Sequence, residues 1–202
     1  MVAVSKTQSI EKIRLMYDQG QRIFGENRVQ EILEKKDRLP PDIEWHLIGH
    51  LQRNKVKYIA PFISMIHSVD TLDLAHEINK QAEKCNRTIP VLLQIRIALE
   101  ETKFGIEITG LEDFMNQIIE DSMQHLKVCG VMGMASFVDD EDQIKREFRT
   151  LKQIFNDLKS KYYAENSAFK EISMGMSDDY LLALEEGSTL VRIGTLLFGP
   201  RS

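Results

Sequence analysis

At 202 residues and 43% hydrophobic, with no Pro- or Ser-rich linker, the chain is sized for a single domain spanning residues 1–202. A net charge of −5, with basic residues scattered instead of striped, argues against a nucleic-acid surface and for small ligands as partners. Its apolar runs are strand-sized, short of the roughly 20 residues a membrane span needs, and no signal peptide precedes Lys6, so a cytoplasmic protein that meets no membrane is expected.

In chain order, β-type runs at Met1–Ser5, Ile23–Glu26, Glu44–Gly49, Met65–Val69, Ile89–Ile95, Lys127–Met134, Phe169–Met174 and Thr189–Ile193 alternate with amphipathic segments. The helical period is clearest in Ile10-Ile13-Leu15-Met16 and in Ile144-Phe148-Leu151-Ile154-Phe155-Leu158. Thr71, Asp140 and Ser177 read as helix N-caps, the last with Asp178 and Asp179 in the first turn. Cys85 and Cys129 have neither metal-ligand nor disulfide-framework spacing, so no metal and no cysteine chemistry are expected. No long apolar surface run is visible, which favours a monomer.

Eight strands, each followed by a helical segment, predict an α/β protein built as a single (β/α)₈ barrel of the TIM type. Runs such as Ile89-Pro90-Val91-Leu92-Leu93 suit parallel strands buried on both faces. A doubly wound sheet is the competing fold, but its usual G-x-G-x-x-G turn is replaced here by Ser5-Lys6-Thr7-Gln8.

In such a barrel the strand ends converge on one rim. The polar residues there are Lys6, Glu26-Asn27, His46 with Gly49-His50, His67-Ser68-Val69-Asp70, Gln94 with Arg96, Met132-Gly133-Met134, Ser173 to Ser177, and Arg192 to Thr195. Lys6, one residue past Met1-Val2-Ala3-Val4-Ser5, sits where desolvation would make an amine nucleophilic, as condensation with a carbonyl compound requires. The last two loops are where the fold commonly binds phosphate, with Ser177 and Thr195 supplying hydroxyls and Gly175 and Gly194 allowing close approach. An aldehyde-bearing phosphate ligand fits both ends of the chain.

Taken singly, each residue has a plainer reading. Lys6 reads as a lysine snorkelling to water, Ser177 and Thr195 as helix caps, and Arg192 as half of a core ion pair with Glu26. His46 reads as a hydrogen-bonded structural histidine, and Met132, Met134, Met174 and Met176 as core or pocket lining.

The stretches Ala3-Val4-Ser5-Lys6-Thr7, Phe24-Gly25-Glu26-Asn27, Val29-Gln30-Glu31, Trp45-His46-Leu47-Ile48-Gly49, Leu51-Gln52, Asn54-Lys55, Ser173-Met174-Gly175-Met176-Ser177 and Val191-Arg192-Ile193-Gly194-Thr195, with Phe198-Gly199, span nearly the whole chain. In them the chain resembles the pyridoxal-phosphate homeostasis protein family, a single-domain relative of the alanine racemase barrel. The resemblance implies pyridoxal 5′-phosphate (PLP) held as a Schiff base on Lys6. It implies phosphate contacts from Ser177, Gly194 and Thr195, Arg192 facing the pyridine nitrogen, and Asn27 in the site, with Met174, Gly175, His46 and Met132 as further pocket residues.

It also implies a role: to hold, buffer and hand over the cofactor, with PLP-dependent apo-enzymes as partners, and to balance amino- and keto-acid pools without strong catalysis. Alanine racemases add a second domain bearing an opposing tyrosine base, and nothing follows Ser202 in this sequence. The alternatives are a weak PLP-dependent racemase or transaminase, a class I aldolase using the same lysine, or a PLP-sensing module. Three departures stand out. Arg28 replaces the family's usual tyrosine, Arg96 its usual asparagine, and the helical segment that relatives carry before the first strand is not in this sequence.

Overall fold

Apolar runs bounded by polar turns become strands, and each amphipathic segment lays its apolar stripe over them. The structure, a computed structural model, describes residues 1–98 and 104–199. The elements run β1 (Val2–Val4), α1 (Ile10–Asp18), β2 (Ile23–Glu26), α2 (Val29–Lys36), β3 (Glu44–Leu47), α3 (Val56–Ile59), β4 (Met65–Val69) and α4 (Leu72–Lys84). They continue as β5 (Ile89–Gln94), α5 (Leu111–Glu120), β6 (Leu126–Met132), α6 (Glu141–Tyr162), β7 (Glu171–Ser173), α7 (Tyr180–Glu185), β8 (Arg192–Ile193) and α8 (Thr195–Phe198).

All strand pairings are parallel, in the order β7-β6-β5-β4-β3-β2-β1-β8. A bridge between Ser173 and Leu190, with the Arg192 amide donating to the Gly175 carbonyl at 2.9 Å, closes β7 onto β8 and completes the barrel. Register fixes who stands beside whom at the rim. Val2 pairs with Arg192 and Ala3 with Ile193, so the two ends of the chain emerge as neighbours. Gly130, at φ +152°, lies where β6 shifts register against β5, and a Cβ there would stand 1.8 Å from the Glu171 carbonyl oxygen.

The main core lies between barrel and helices. The α6 stripe predicted from the sequence is buried throughout, from Ile144 to Leu158, against strand residues such as Val131 and Ile172. Burying a side chain of that size contributes about 1.5–3 kcal/mol. In α1 the expected stripe is narrower, because Ile13 is fully buried while Leu15 is 66% exposed. Leu15 lies two positions past Ile13, about 200° round the helix, which carries it to the solvent side. A second, smaller apolar cluster joins Leu92, Cys129 and Met132, with Met65 and Met134 packed on it.

Two of the three expected N-caps are present: Thr71 Oγ1 accepts from the Leu74 amide at 3.3 Å and Asp140 Oδ1 from the Gln143 amide at 3.0 Å. Thr71→Ala is expected to cost about 1 kcal/mol, read as a fall in melting temperature of roughly 2–4 °C. Among the described residues no helix is long and apolar enough to cross a membrane.

Candidate functional site

The turn that carries Lys6 is tied down on both sides. The Ser5 amide donates to the Gly25 carbonyl at 3.0 Å, the Ser5 hydroxyl to Glu26 Oε1 at 2.7 Å, and the Thr7 amide to Glu31 Oε2 at 2.8 Å. Lys35, reaching in from α2, donates to the Ser5 carbonyl at 2.9 Å, to Glu26 Oε1 at 2.7 Å and to Glu31 Oε2 at 2.9 Å. Thr7 sits at φ +63°, a conformation that β-branched residues rarely adopt, so this clamp stabilises a strained corner. Lys6 itself is half-buried at the strand exit.

Glu26 carries the electrostatic cost of the clamp. It is fully buried, its Oε2 has no partner among the described residues, and its one ammonium is shared with Glu31. Burial therefore pushes its pKa up to about 7, against the opposing pull of its bonds from Lys35 and Ser5. The folded chain then binds more proton at Glu26 than the unfolded chain does between the usual 4.5 and about 7, so this group's contribution to stability falls as pH rises through that window. Glu26→Gln is expected to flatten the pH dependence of urea-unfolding free energy there. An unchanged slope would mean that Glu26 does not titrate in that range.

The phosphate-type groups expected from the sequence meet across the next two strands. The Gly194 amide donates to Ser177 Oγ at 3.3 Å, which joins the loop after β7 to the loop after β8, and Thr195 follows at the exposed start of α8. This corrects the capping role expected of Ser177. The helix begins at Tyr180, and Asp179 Oδ1 accepts from the Met176 amide at 2.6 Å, leaving the Ser177 hydroxyl to face β8. Gly175 is required by its geometry: φ is +91° and a Cβ would stand 2.5 Å from the Ala183 Cβ. Gly194, with φ at −118°, is not forced by its backbone angle.

Arg192 is not paired with Glu26, because Lys35 holds that carboxylate. Instead its Nη1 donates to Ser173 Oγ at 2.7 Å and its Nη2 to the Gly133 carbonyl at 3.2 Å. Burial pushes its pKa down only to about 10, so the guanidinium is charged at neutral pH. Behind it, Ser173 Oγ lies 3.1 Å from His67 Nδ1, and His67 Nε2 lies 2.9 Å from His46 Nδ1. Burial lowers His46 to about 4 and His67 well below the usual imidazole value, the latter helped by His46 and Arg192, so both rings are neutral. A guanidinium only donates. Ser173 therefore accepts from Arg192 and donates its own O–H to His67 Nδ1, which makes His67 Nε2–H the donor to His46. His46 is thus hydrogen-bonded and structural, as its plainer reading had it.

Of the methionines, Met132 belongs to the cluster with Leu92 and Cys129, whereas Met174 is buried in the main core that packs against the helices. The parity of β7 explains this, since Ser173 points inward and Met174 outward. Asn27, half-buried, borders a cavity of about 550 Å³ between α2 and the segment after β3. Arg96 is neutralised by an ion pair with Glu107. Of these groups the sequence missed Lys35, whose one signal is its four-residue spacing from Glu31 on a helix.

The donor set suits a phosphorylated aromatic aldehyde: an amine at the exit of β1, a hydroxyl and an amide brought together in the loops after β7 and β8, and a buried donor-only guanidinium on β8. Comparison with known proteins agrees. The family described as "Alanine racemase, N-terminal domain" matches residues 1–202. A "Pyridoxal phosphate homeostasis protein" from Aquifex aeolicus (strain VF5) is 42% identical over 202 residues, covering all of this chain and 86% of that protein. The structure of PipY from Synechococcus elongatus PCC7942, described as having PLP bound, superposes with a TM-score of 0.88 at 34% identity, over 98% of this chain and 92% of that one. An alanine racemase from D-cycloserine producing Streptomyces lavendulae shares the fold, with a TM-score of 0.77 at 16% identity over 99% of this chain and 52% of that one. The chain therefore belongs to the alanine racemase N-terminal domain family, and within it to the pyridoxal phosphate homeostasis proteins.

Proposed function

We propose that this protein binds PLP at the barrel rim, with Lys6 Nζ as its covalent anchor, and acts inside the cell as a monomeric carrier that buffers the cofactor and delivers it to apo-enzymes. By keeping those enzymes supplied it supports the balance of amino and keto acids, and its own action on amino acids is weak at most. The carrying observation is the pairing of β1 with β8, which brings the exit of Lys6 beside the Gly194–Ser177 contact. The PLP-bound relative at 34% identity, and the name borne by the relative at 42%, support the choice of cofactor.

When bound, the cofactor would supply an electrophilic aldehyde within reach of the Lys6 amine and an electron-withdrawing ring. The chain's own residues fix the rest. Ser177 Oγ and the Gly194 amide would exchange their mutual bond for phosphate oxygens, with the Thr195 hydroxyl beside them. Arg192, pinned by Ser173 and Gly133, offers remaining N–H groups to the ring nitrogen and has no means of accepting its proton, which keeps electron withdrawal weak. Asn27, Gly175, His46 and Met132 complete the surroundings. The neutral His46–His67 pair is turned toward Ser173 and positions Arg192 without moving a substrate proton.

A transfer assay tests this function. Loaded protein should reactivate a PLP-dependent apo-enzyme, while α-hydrogen exchange of added amino acids in deuterium oxide stays near the rate with free PLP. Rapid exchange together with no reactivation would establish an enzyme instead.

A further inference from the structure

The cavity of about 550 Å³ beside the rim is lined by Arg28, Lys55, His50, Tyr58 and Leu33, with Asn27 on the side nearest the barrel mouth. No carboxylate lines it, although the chain as a whole carries a net charge of −5. Acids stand behind the lining: Asp70 Oδ2 lies 3.7 Å from His50 Nδ1, and Gln30 Nε2 donates to Glu34 Oε1 at 3.0 Å. Among the described residues Arg28 and Lys55 enter no ion pair, and Lys55 stands over the Tyr58 ring at 5.8 Å. The cavity also meets the start of α2, where Arg28 is the N-cap residue and supplies no side-chain cap, so the positive end of the helix adds to the two cations. Tyr58, Leu33 and Leu51 give the same space an apolar wall.

We infer that this cavity is a second, non-covalent subsite for a phosphate monoester carried on a small ring, with Arg28 and Lys55 holding the phosphate and Tyr58 the ring. Two cations on separate elements match a dianion better than a single carboxylate, and the apolar wall favours an ester over the bare ion. This subsite does not depend on Lys6.

The test uses protein loaded with PLP and reduced with borohydride, so that the rim site is filled. It is titrated calorimetrically with pyridoxine 5′-phosphate, which has no aldehyde, and in parallel with adenosine 5′-monophosphate and inorganic phosphate. One further equivalent of at least one ester should bind, at least about tenfold more tightly than inorganic phosphate. Which ester binds identifies the ligand class. Arg28→Glu with Lys55→Glu, both exposed positions, should weaken binding by about tenfold or more without changing the mass gained at Lys6. Tyr58→Ala should weaken the ester and leave inorganic phosphate unmoved. The inference is overturned by no further uptake, by uptake indifferent to the charge reversal, or by inorganic phosphate binding as tightly as the esters. Failure to load Lys6 would be read separately, as missing mass, and the same titration on unloaded protein then decides.

Discussion

Lys35→Ala is expected to lower stability by about 3–5 kcal/mol, the range for removing one partner of a buried ion pair. Lys35 is 7% exposed and gives up three bonds at once, to the Ser5 carbonyl, Glu26 and Glu31. Glu26 would keep only the Ser5 hydroxyl on Oε1, with Oε2 already unpartnered. At roughly 2–4 °C per kcal/mol for a chain this long, the melting temperature should fall by about 6–20 °C. Glu26→Gln combined with Lys35→Met, which removes both charges together, should recover much of the loss, since the penalty belongs mainly to the stranded carboxylate. A single Lys35→Ala that melts with the parent would show that the clamp contributes little. The residual folded variant should also load cofactor less completely, because the Ser5 carbonyl loses its bond from Lys35, and Glu26 and Glu31, which hold Ser5 and Thr7, lose the cation between them.

Lys6→Ala is expected to abolish covalent capture while leaving the fold intact. Its side chain is half-buried and outside the main core, so the change in unfolding free energy should stay within about 0.5 kcal/mol. Binding through the phosphate groups alone should be weaker by on the order of 100-fold, equivalent to about 2.7 kcal/mol. Equilibrium dialysis measures the affinity, and loss of the visible absorbance band reports the missing bond. A Lys6→Ala protein that still fixes cofactor on reduction would move the anchor to another lysine.

Strand identity was legible because parallel strands buried on both faces read as short apolar runs, and β2 and β4 have the boundaries expected of them. Strand ends were read too long at the rim. Gly49 and Met174 continue the apolar pattern, but the strands end at Leu47 and Ser173, with single backbone bonds at Ile48 and Gly175 beyond them. β8 shrinks to two residues because Leu190 closes the barrel by a lone bridge to Ser173. The placement of Lys6, Ser177, Gly194 and Arg192 at the strand ends along one rim is legible from position along the strands. The relay from His67 to Ser173 joins residues 106 apart, and the Lys35 clamp depends on which face of α2 meets β2. Neither follows from local pattern; both are set by tertiary packing.

The most direct measurement is intact mass after the protein is incubated with PLP and reduced with borohydride, followed by peptide mapping. One cofactor per chain, on the peptide containing Lys6, is the expected result. No mass gain, or a gain confined to other lysines, would contradict the assignment of the rim between β1 and β8 as the cofactor site.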